Sequence, residues 1–169
     1  MITLLLGGAR SGKSSLAVEI GRRHDGDVVF VATAEPFDDD LRGRIERHRE
    51  ERPAWPTIEA PVDLARAITS VAPDALVIVD CLTVWLGNVL HHGAEASIGP
   101  LLDALETRPG PSIVISNEVG MGIHPDTELA RRYRDALGRI NQAVAAAAST
   151  SLLLVAGRAT VLRDPWELL

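Results

Sequence analysis

Eight consecutive residues, Gly7-Gly8-Ala9-Arg10-Ser11-Gly12-Lys13-Ser14, have the types and spacing needed to hold phosphate groups. Gly7 and Gly12 bracket four residues and Lys13-Ser14 follows, which is the P-loop pattern. Glycines reach backbone conformations closed to other residues, so successive N–H groups can wrap around phosphate oxygens. A helix beginning near Ser14 adds the positive end of its dipole. Lys13 supplies a mobile charge for the β- and γ-phosphates, and the Ser14 hydroxyl can ligate Mg²⁺. A short apolar strand precedes the motif and a helix-forming segment follows it. A bound nucleoside triphosphate is the expectation.

Three further groups have chemical potential. Asp80 ends the apolar run Leu76-Val77-Ile78-Val79, where a carboxylate can hold Mg²⁺ directly or through water. The competing reading is an aspartate that caps the next turn. His48 lies among Arg44, Arg47, Arg49 and Arg52, seven residues after Leu41 and three after Ile45, so the three share a helix face. The arginines disfavour imidazolium and can receive phosphates. A neutral imidazole can attack phosphorus to give a phosphoramidate, though a lone histidine is more often packed or simply exposed. Asn117-Glu118-Val119-Gly120-Met121-Gly122 is either a tight turn with an incidental acid or a loop that brings Glu118 to metal or water.

Positioning these groups requires a sheet. Ile2–Leu6, Val28–Ala32, Leu76–Val79, Ser112–Ser116 and Leu152–Ala156 read as strands, mostly continuous rather than alternating, as in a parallel sheet covered on both faces. Helices are expected over Ser14–His24, Asp38–Glu51, around Leu101–Leu105, and over Thr127–Ala148, where Leu129, Tyr133, Leu137, Ile140 and Val144 form an apolar stripe. Gly93–Pro100 and Arg108–Pro111 read as surface loops, neither long enough to be a linker. Strands alternating with helices predict a doubly wound α/β fold in one domain over residues 1–169. Each apolar run is followed by polar or glycine residues: the P-loop, Thr33 and Glu35, Asp80, Asn117–Gly120, then Gly157-Arg158. Ligands of open α/β sheets bind beyond the carboxyl ends of the strands, so these clusters should converge.

Composition sets outer limits. The 169 residues are 46% hydrophobic and 24% charged with a net charge of −6, which suits a globular protein and disfavours a backbone grip on nucleic acid. The single cysteine, Cys81, excludes an internal disulfide and fits a reducing cytoplasm. The apolar N-terminus is too short for a signal peptide, and no apolar stretch reaches the roughly 18 residues of a membrane span. Trp55, Trp85 and Trp166 read as core or interface residues.

Taken in order, GGARSGKS, VATAE (Val31–Glu35), RIERHREERPAW (Arg44–Trp55), TIE (Thr57–Glu59), VDCLTVWLGN (Val79–Asn88), SNEVGMGIHP (Ser116–Pro125) and RRYRDALGRINQAVA (Arg131–Ala145) resemble a specific family. It is the bifunctional adenosylcobinamide kinase / adenosylcobinamide-phosphate guanylyltransferase family of cobalamin synthesis, and the resemblance covers nearly the whole chain. The resemblance implies phosphorylation of adenosylcobinamide by ATP or GTP. It then implies GMP transfer from GTP to the resulting phosphate through a guanylylated histidine matching His48. Lys13 would serve catalysis, and Ser14 and Asp80 would hold Mg²⁺. Nucleotide contacts carry over to Gly7, Gly8, Ala9, Arg10, Ser11, Gly12, Lys13 and Ser14, and to Ala32, Thr33 and Ala34. They also carry over to Arg49, Glu50, Glu51, Arg52, Glu59 and Asp80. The implied fold is RecA-like and mostly parallel, with helices on both faces, and the implied assembly is a homotrimer. The chain departs from the family pattern at His124 and Gly157-Arg158-Ala159, where more apolar residues are usual. A P-loop kinase for another small alcohol is the alternative reading. A nucleotide-dependent switch is a further one, but an Asn-Lys-x-Asp guanine element is lacking.

Overall fold

A computed structural model describes residues 1–35, 43, 49, 52–94 and 96–169. Among the described residues seven strands form one sheet: β1 (Ile2–Gly7), β2 (Val28–Ala32), β3 (Thr57–Glu59), β4 (Leu76–Asp80), β5 (Ser112–Ile115), β6 (Thr150–Val155) and β7 (Arg158–Leu162). Their order across the sheet is β3-β2-β4-β5-β1-β6-β7. Every pairing is parallel except β6 with β7.

The continuous apolar runs are explained by burial on both faces. Leu4, Leu6, Val31, Val77, Val79 and Val114 point into one core layer. Four helices cover that layer: α2 (Leu64–Ser70), α3 (Leu82–His91), α4 (Ile98–Thr107) and α5 (Glu128–Ala147). The intervening positions Leu5, Phe30, Ile78, Ile113 and Ile115 enter the opposite layer, where they meet Ala17, Leu16 and Ile20 of α1 (Lys13–Arg22) and the indole of Trp55. Trp55 fits because Gly21 has no side chain; a Cβ there would lie 2.5 Å from its ring. Trp85 is buried in the first layer and donates its indole N–H to the Val62 carbonyl at 2.7 Å, whereas Trp166 is exposed.

Several expected boundaries change. β3, β7, α2 and α3 were absent from the sequence reading, and α4 begins at Ile98, inside the expected Gly93–Pro100 loop. The Arg108–Pro111 connection is not wholly superficial. Arg108 is buried and donates to the carbonyls of Ala72 and Ala75, and Gly110 packs directly on the backbone of residues 73–75. On α5, Leu137, Ile140 and Val144 are buried as the stripe predicts, but the first turn carries Leu129 clear of the core. The last parallel strand ends at Val155, because Ala156 and Gly157 adopt φ of 51° and 71° and turn the chain into β7. Positive φ at both turn residues is the geometry of a tight two-residue hairpin. The expected helix Asp38–Glu51 falls mostly outside the described residues; Gly43 and Arg49, which are described, are helical. Among the described residues no helix is long and apolar enough to cross a membrane.

Candidate functional site: a phosphate-binding cleft at the carboxyl edge of the sheet

The site begins where β1 ends. Gly7 has a φ of 151° and Gly12 a φ of 99°, both favoured by glycine, and Gly12 directly precedes α1. Gly7 has a second constraint, since a Cβ would lie 2.3 Å from the Leu154 carbonyl oxygen of β6 and 2.8 Å from Ser11 Oγ. At Gly8 an added Cβ would meet nothing within 4 Å. Gly7→Ala is therefore expected to cost roughly 3 kcal/mol or more of stability, and Gly8→Ala less than about 1 kcal/mol. Urea denaturation of the two variants checks this; equal midpoints would contradict it.

Lys13 is buried and folded back into the loop. Its Nζ donates to the carbonyls of Gly7 at 3.0 Å and Gly8 at 2.7 Å, and to Ser11 Oγ at 3.3 Å. Burial pulls the ammonium pKa below its ordinary value, opposed by the potentials of Cys81 and Asp80. The loop's other flank rests on the β6–β7 turn: the Gly157 N–H donates to the Ser11 carbonyl at 3.0 Å. Gly157, read from the sequence as part of a ligand edge, thus buttresses the P-loop.

Asp80 lies opposite Ala32 on β2 and Ile115 on β5. It shares a cleft of about 460 Å³ with Ala9–Ser14, Ala32, Ala34, Arg49 and Arg52. A smaller adjoining hollow of about 300 Å³ reaches from Ser14 and Asp80 past Phe30 to Arg22. Arg52 is held there by stacking 3.9 Å above the Phe30 ring and by donating to Thr57 Oγ1 at 3.0 Å. Arg49 reaches the cleft while paired with the Glu59 carboxylate, so Glu59 stands behind Arg49 at the rim.

Other expected contacts have different surroundings. Thr33 is fully buried. Its hydroxyl donates to the carbonyls of Asp80 and Cys81 and accepts from the Cys81 N–H at 2.8 Å, which ties the end of β2 to the end of β4. Its carbonyl accepts from Asn88 Nδ2 at 2.6 Å. Glu35 pairs with His92 at 3.0 Å. The Glu118 carboxylate accepts from the N–H of Gly120 in its own turn, while the Glu118 N–H bonds the Gly7 carbonyl at 3.2 Å. The turn therefore touches the P-loop through its backbone. His124 lies 3.3 Å from Arg134. His48, Glu50 and Glu51 lie outside the described residues.

The cleft also contains Phe30, Cys81, Val84, Ile115 and Asn117. Phe30 and Ile115 have the strand parity that faces α1, which is a legible signal. Cys81 precedes α3 as its N-cap residue and Val84 lies in its first turn, on a helix for which the sequence gives no reading above. The Cys81 thiol is pushed up to about 11 by burial and by Asp80, so it stays protonated near neutral pH.

A glycine-rich loop at the end of an interior parallel strand, a helix rising from it, and a carboxylate at the end of the next strand but one define a P-loop nucleotide-binding α/β fold. Likeness to a solved structure agrees at the level of fold. A prototypical ATPase from the type III secretion system of pathogenic bacteria superimposes with a TM-score of 0.57 at 13% identity, over 91% of this chain. The chain spans about half (51%) of that ATPase chain.

The chain belongs to the cobinamide kinase / cobinamide phosphate guanyltransferase family, which matches residues 3–162. Similar relatives are named bifunctional adenosylcobalamin biosynthesis proteins. One is the CobP protein of Pseudomonas aeruginosa, 41% identical over 93% of this chain and 94% of the relative. Another is the CobU protein of Escherichia coli K12, 36% identical over 93% of this chain and 97% of the relative. Family membership makes the protein a bifunctional kinase and guanyltransferase of adenosylcobalamin biosynthesis.

Proposed function

We propose that the protein phosphorylates the aminopropanol hydroxyl of adenosylcobinamide with ATP or GTP, and then transfers GMP from GTP to that phosphate by way of a guanylylated His48. The observation carrying this reading is the cleft itself, in which the P-loop, Asp80 and two arginines surround one space. His48 is the residue before Arg49, which lines that space.

In the kinase step the substrate hydroxyl oxygen attacks the γ-phosphorus. The bond from Pγ to the β-bridging oxygen breaks, its electron pair leaves with the nucleoside diphosphate, and the hydroxyl proton passes to solvent. Positioning and charge neutralisation by the loop and Lys13 supply most of the catalysis. In the second reaction a His48 nitrogen lone pair forms a bond to Pα, and pyrophosphate departs with the electron pair of the broken P–O bond. A phosphate oxygen of the substrate then attacks Pα, and the N–P electron pair returns to the imidazole.

Ser14 and Asp80 present a hydroxyl and a carboxylate to the same cleft. That oxygen-only pair suits Mg²⁺, which commonly takes waters and substrate phosphates as its other ligands. When bound there, the ion would neutralise charge on the phosphates.

Mass spectrometry after incubation with GTP and Mg²⁺ tests the reading. A GMP adduct mapped to His48 is expected. An enzyme active in γ-transfer that carries no adduct would favour a simple P-loop kinase instead.

The homotrimer belongs to the same proposal. Strand β7 is an exposed sheet edge, and Val155, Val161, Trp166 and Leu168 leave apolar surface uncovered near it. Such an edge is a ready template for association. Sedimentation equilibrium should give three times the chain mass, and Val161→Lys should lower it; a monomeric wild type would refute the assembly.

A further inference from the structure

Asn117 stands at the point of the sheet where the two halves of the phosphate site meet. Strand β5 lies between β1, which ends in the P-loop, and β4, which ends in Asp80. Ile115 is in register with Leu5 on one side and Asp80 on the other. Asn117, two residues further on, lines the same cleft as Lys13, Ser14 and Asp80.

Its backbone is held from both directions. The Asn117 N–H donates to Thr83 Oγ1 of α3 at 2.8 Å, and its carbonyl accepts from Asn141 Nδ2 of α5 at 3.0 Å. Asn141 is fixed in turn, because its Oδ1 accepts from Ser116 Oγ at 2.6 Å. Tyr133 adds a fourth link by donating to the Thr83 carbonyl at 2.8 Å. Ser116 is fully buried and Asn141 nearly so, beside the apolar layer under α3 and α5. Burying polar groups in such a layer is costly unless they are satisfied, and a satisfied network enforces one geometry. Here the geometry enforced is that of a residue that lines the cleft.

We propose that the Asn117 side-chain amide donates a hydrogen bond to an oxygen of the γ-phosphate, and that Thr83 and Asn141 are its positioning residues. This rests on the function proposed above and adds to it a contact specific to the transferred group. A phosphate oxygen is an acceptor, so the N–H₂ end of the amide faces it. As the γ-phosphorus passes to the acceptor hydroxyl and the bond to the β-bridging oxygen breaks, charge is spread over the equatorial oxygens. A fixed neutral donor stabilises that charge without needing to reorganise.

The test compares Asn117→Ala with wild type, using γ-labelled and α-labelled GTP separately. Transfer of the γ-label should fall about 10²-fold, the usual loss for one such donor, while transfer of the α-label should fall by less than about tenfold. Affinities for GDP and a non-hydrolysable β,γ-imido GTP analogue form a second readout. The variant should retain GDP binding and lose about fivefold or more of the wild-type preference for the triphosphate. Thr83→Val should reproduce part of the γ-transfer loss and Thr83→Ser should restore it, since the serine keeps the hydroxyl that accepts from the Asn117 N–H. Equal loss of both transfers, or an unchanged triphosphate-to-diphosphate affinity ratio, would overturn the assignment. If the wild type transfers neither label, the functional reading fails, and the affinity ratio still decides whether Asn117 meets the γ-phosphate.

Discussion

Replacement of His48 by alanine is expected to abolish guanylyl transfer, a loss of at least about 10³-fold, while γ-phosphoryl transfer stays within about tenfold of wild type. The asymmetry follows from the two reactions. In the proposed mechanism attack on the α-phosphorus uses the histidine lone pair, and alanine offers no substitute. In the kinase step the nucleophile is the substrate's own hydroxyl, and the loop holding the nucleotide is untouched. Parallel assays with α-labelled and γ-labelled GTP separate the outcomes. A variant that still forms acid-labile, α-labelled protein would show that another nucleophile is in use. A variant that loses both transfers equally would make His48 part of general nucleotide binding.

Lys13→Met should lower both transfers, each by about 10³-fold, because it removes the buried loop cation proposed to meet the β- and γ-phosphates. The structure makes the effect more than a lost charge. The ammonium occupies the loop interior, bonded to Gly7, Gly8 and Ser11. Methionine has similar length but cannot donate, so it leaves those carbonyls without the cation and offers nothing to incoming phosphate. Triphosphate affinity and both rates should therefore fall together, in contrast with the split expected at His48. Fluorescence titration with a labelled GTP analogue, followed by steady-state assays, checks this. A variant with wild-type affinity and a defect in kcat alone would place Lys13 in transition-state stabilisation and outside ground-state binding.

The difference between these two sites also marks what was legible in the chain. Gly7–Ser14 is a contiguous motif in which spacing, residue type and the flanking strand and helix all point to one local structure. The continuous apolar runs at Leu76–Val79 and Ser112–Ser116 are equally local, since burial on both faces of a parallel sheet leaves a composition signal. Their polar ends then follow from chain order, which places Asp80 and Asn117 at one edge. Strand β3 is a three-residue edge strand with exposed, intermediate and exposed positions, too short to show a period. Strand β7 is exposed along its whole length and has no burial pattern to read.

The sequence by itself determined that a P-loop lies at the end of the first strand, that strands and helices alternate, and to which family the chain belongs. Those depend on contacts close along the chain or on ordered blocks of residue types. Tertiary structure alone decided how the other residues are used. Thr33, which has the right neighbours for a nucleotide contact, ties β2 to the end of β4. Gly157 hydrogen-bonds the P-loop from the turn after the adjoining strand, and Glu59 pairs with Arg49. Asn117 is held by helices contributing Thr83 and Asn141, 34 and 24 residues away along the chain. Such hydrogen bonds depend on which strands become neighbours and on the side-chain directions this sets, and no local run of residues carries that information. The loop that announces phosphate binding is therefore local in origin, whereas the cleft around it is a product of the strand order.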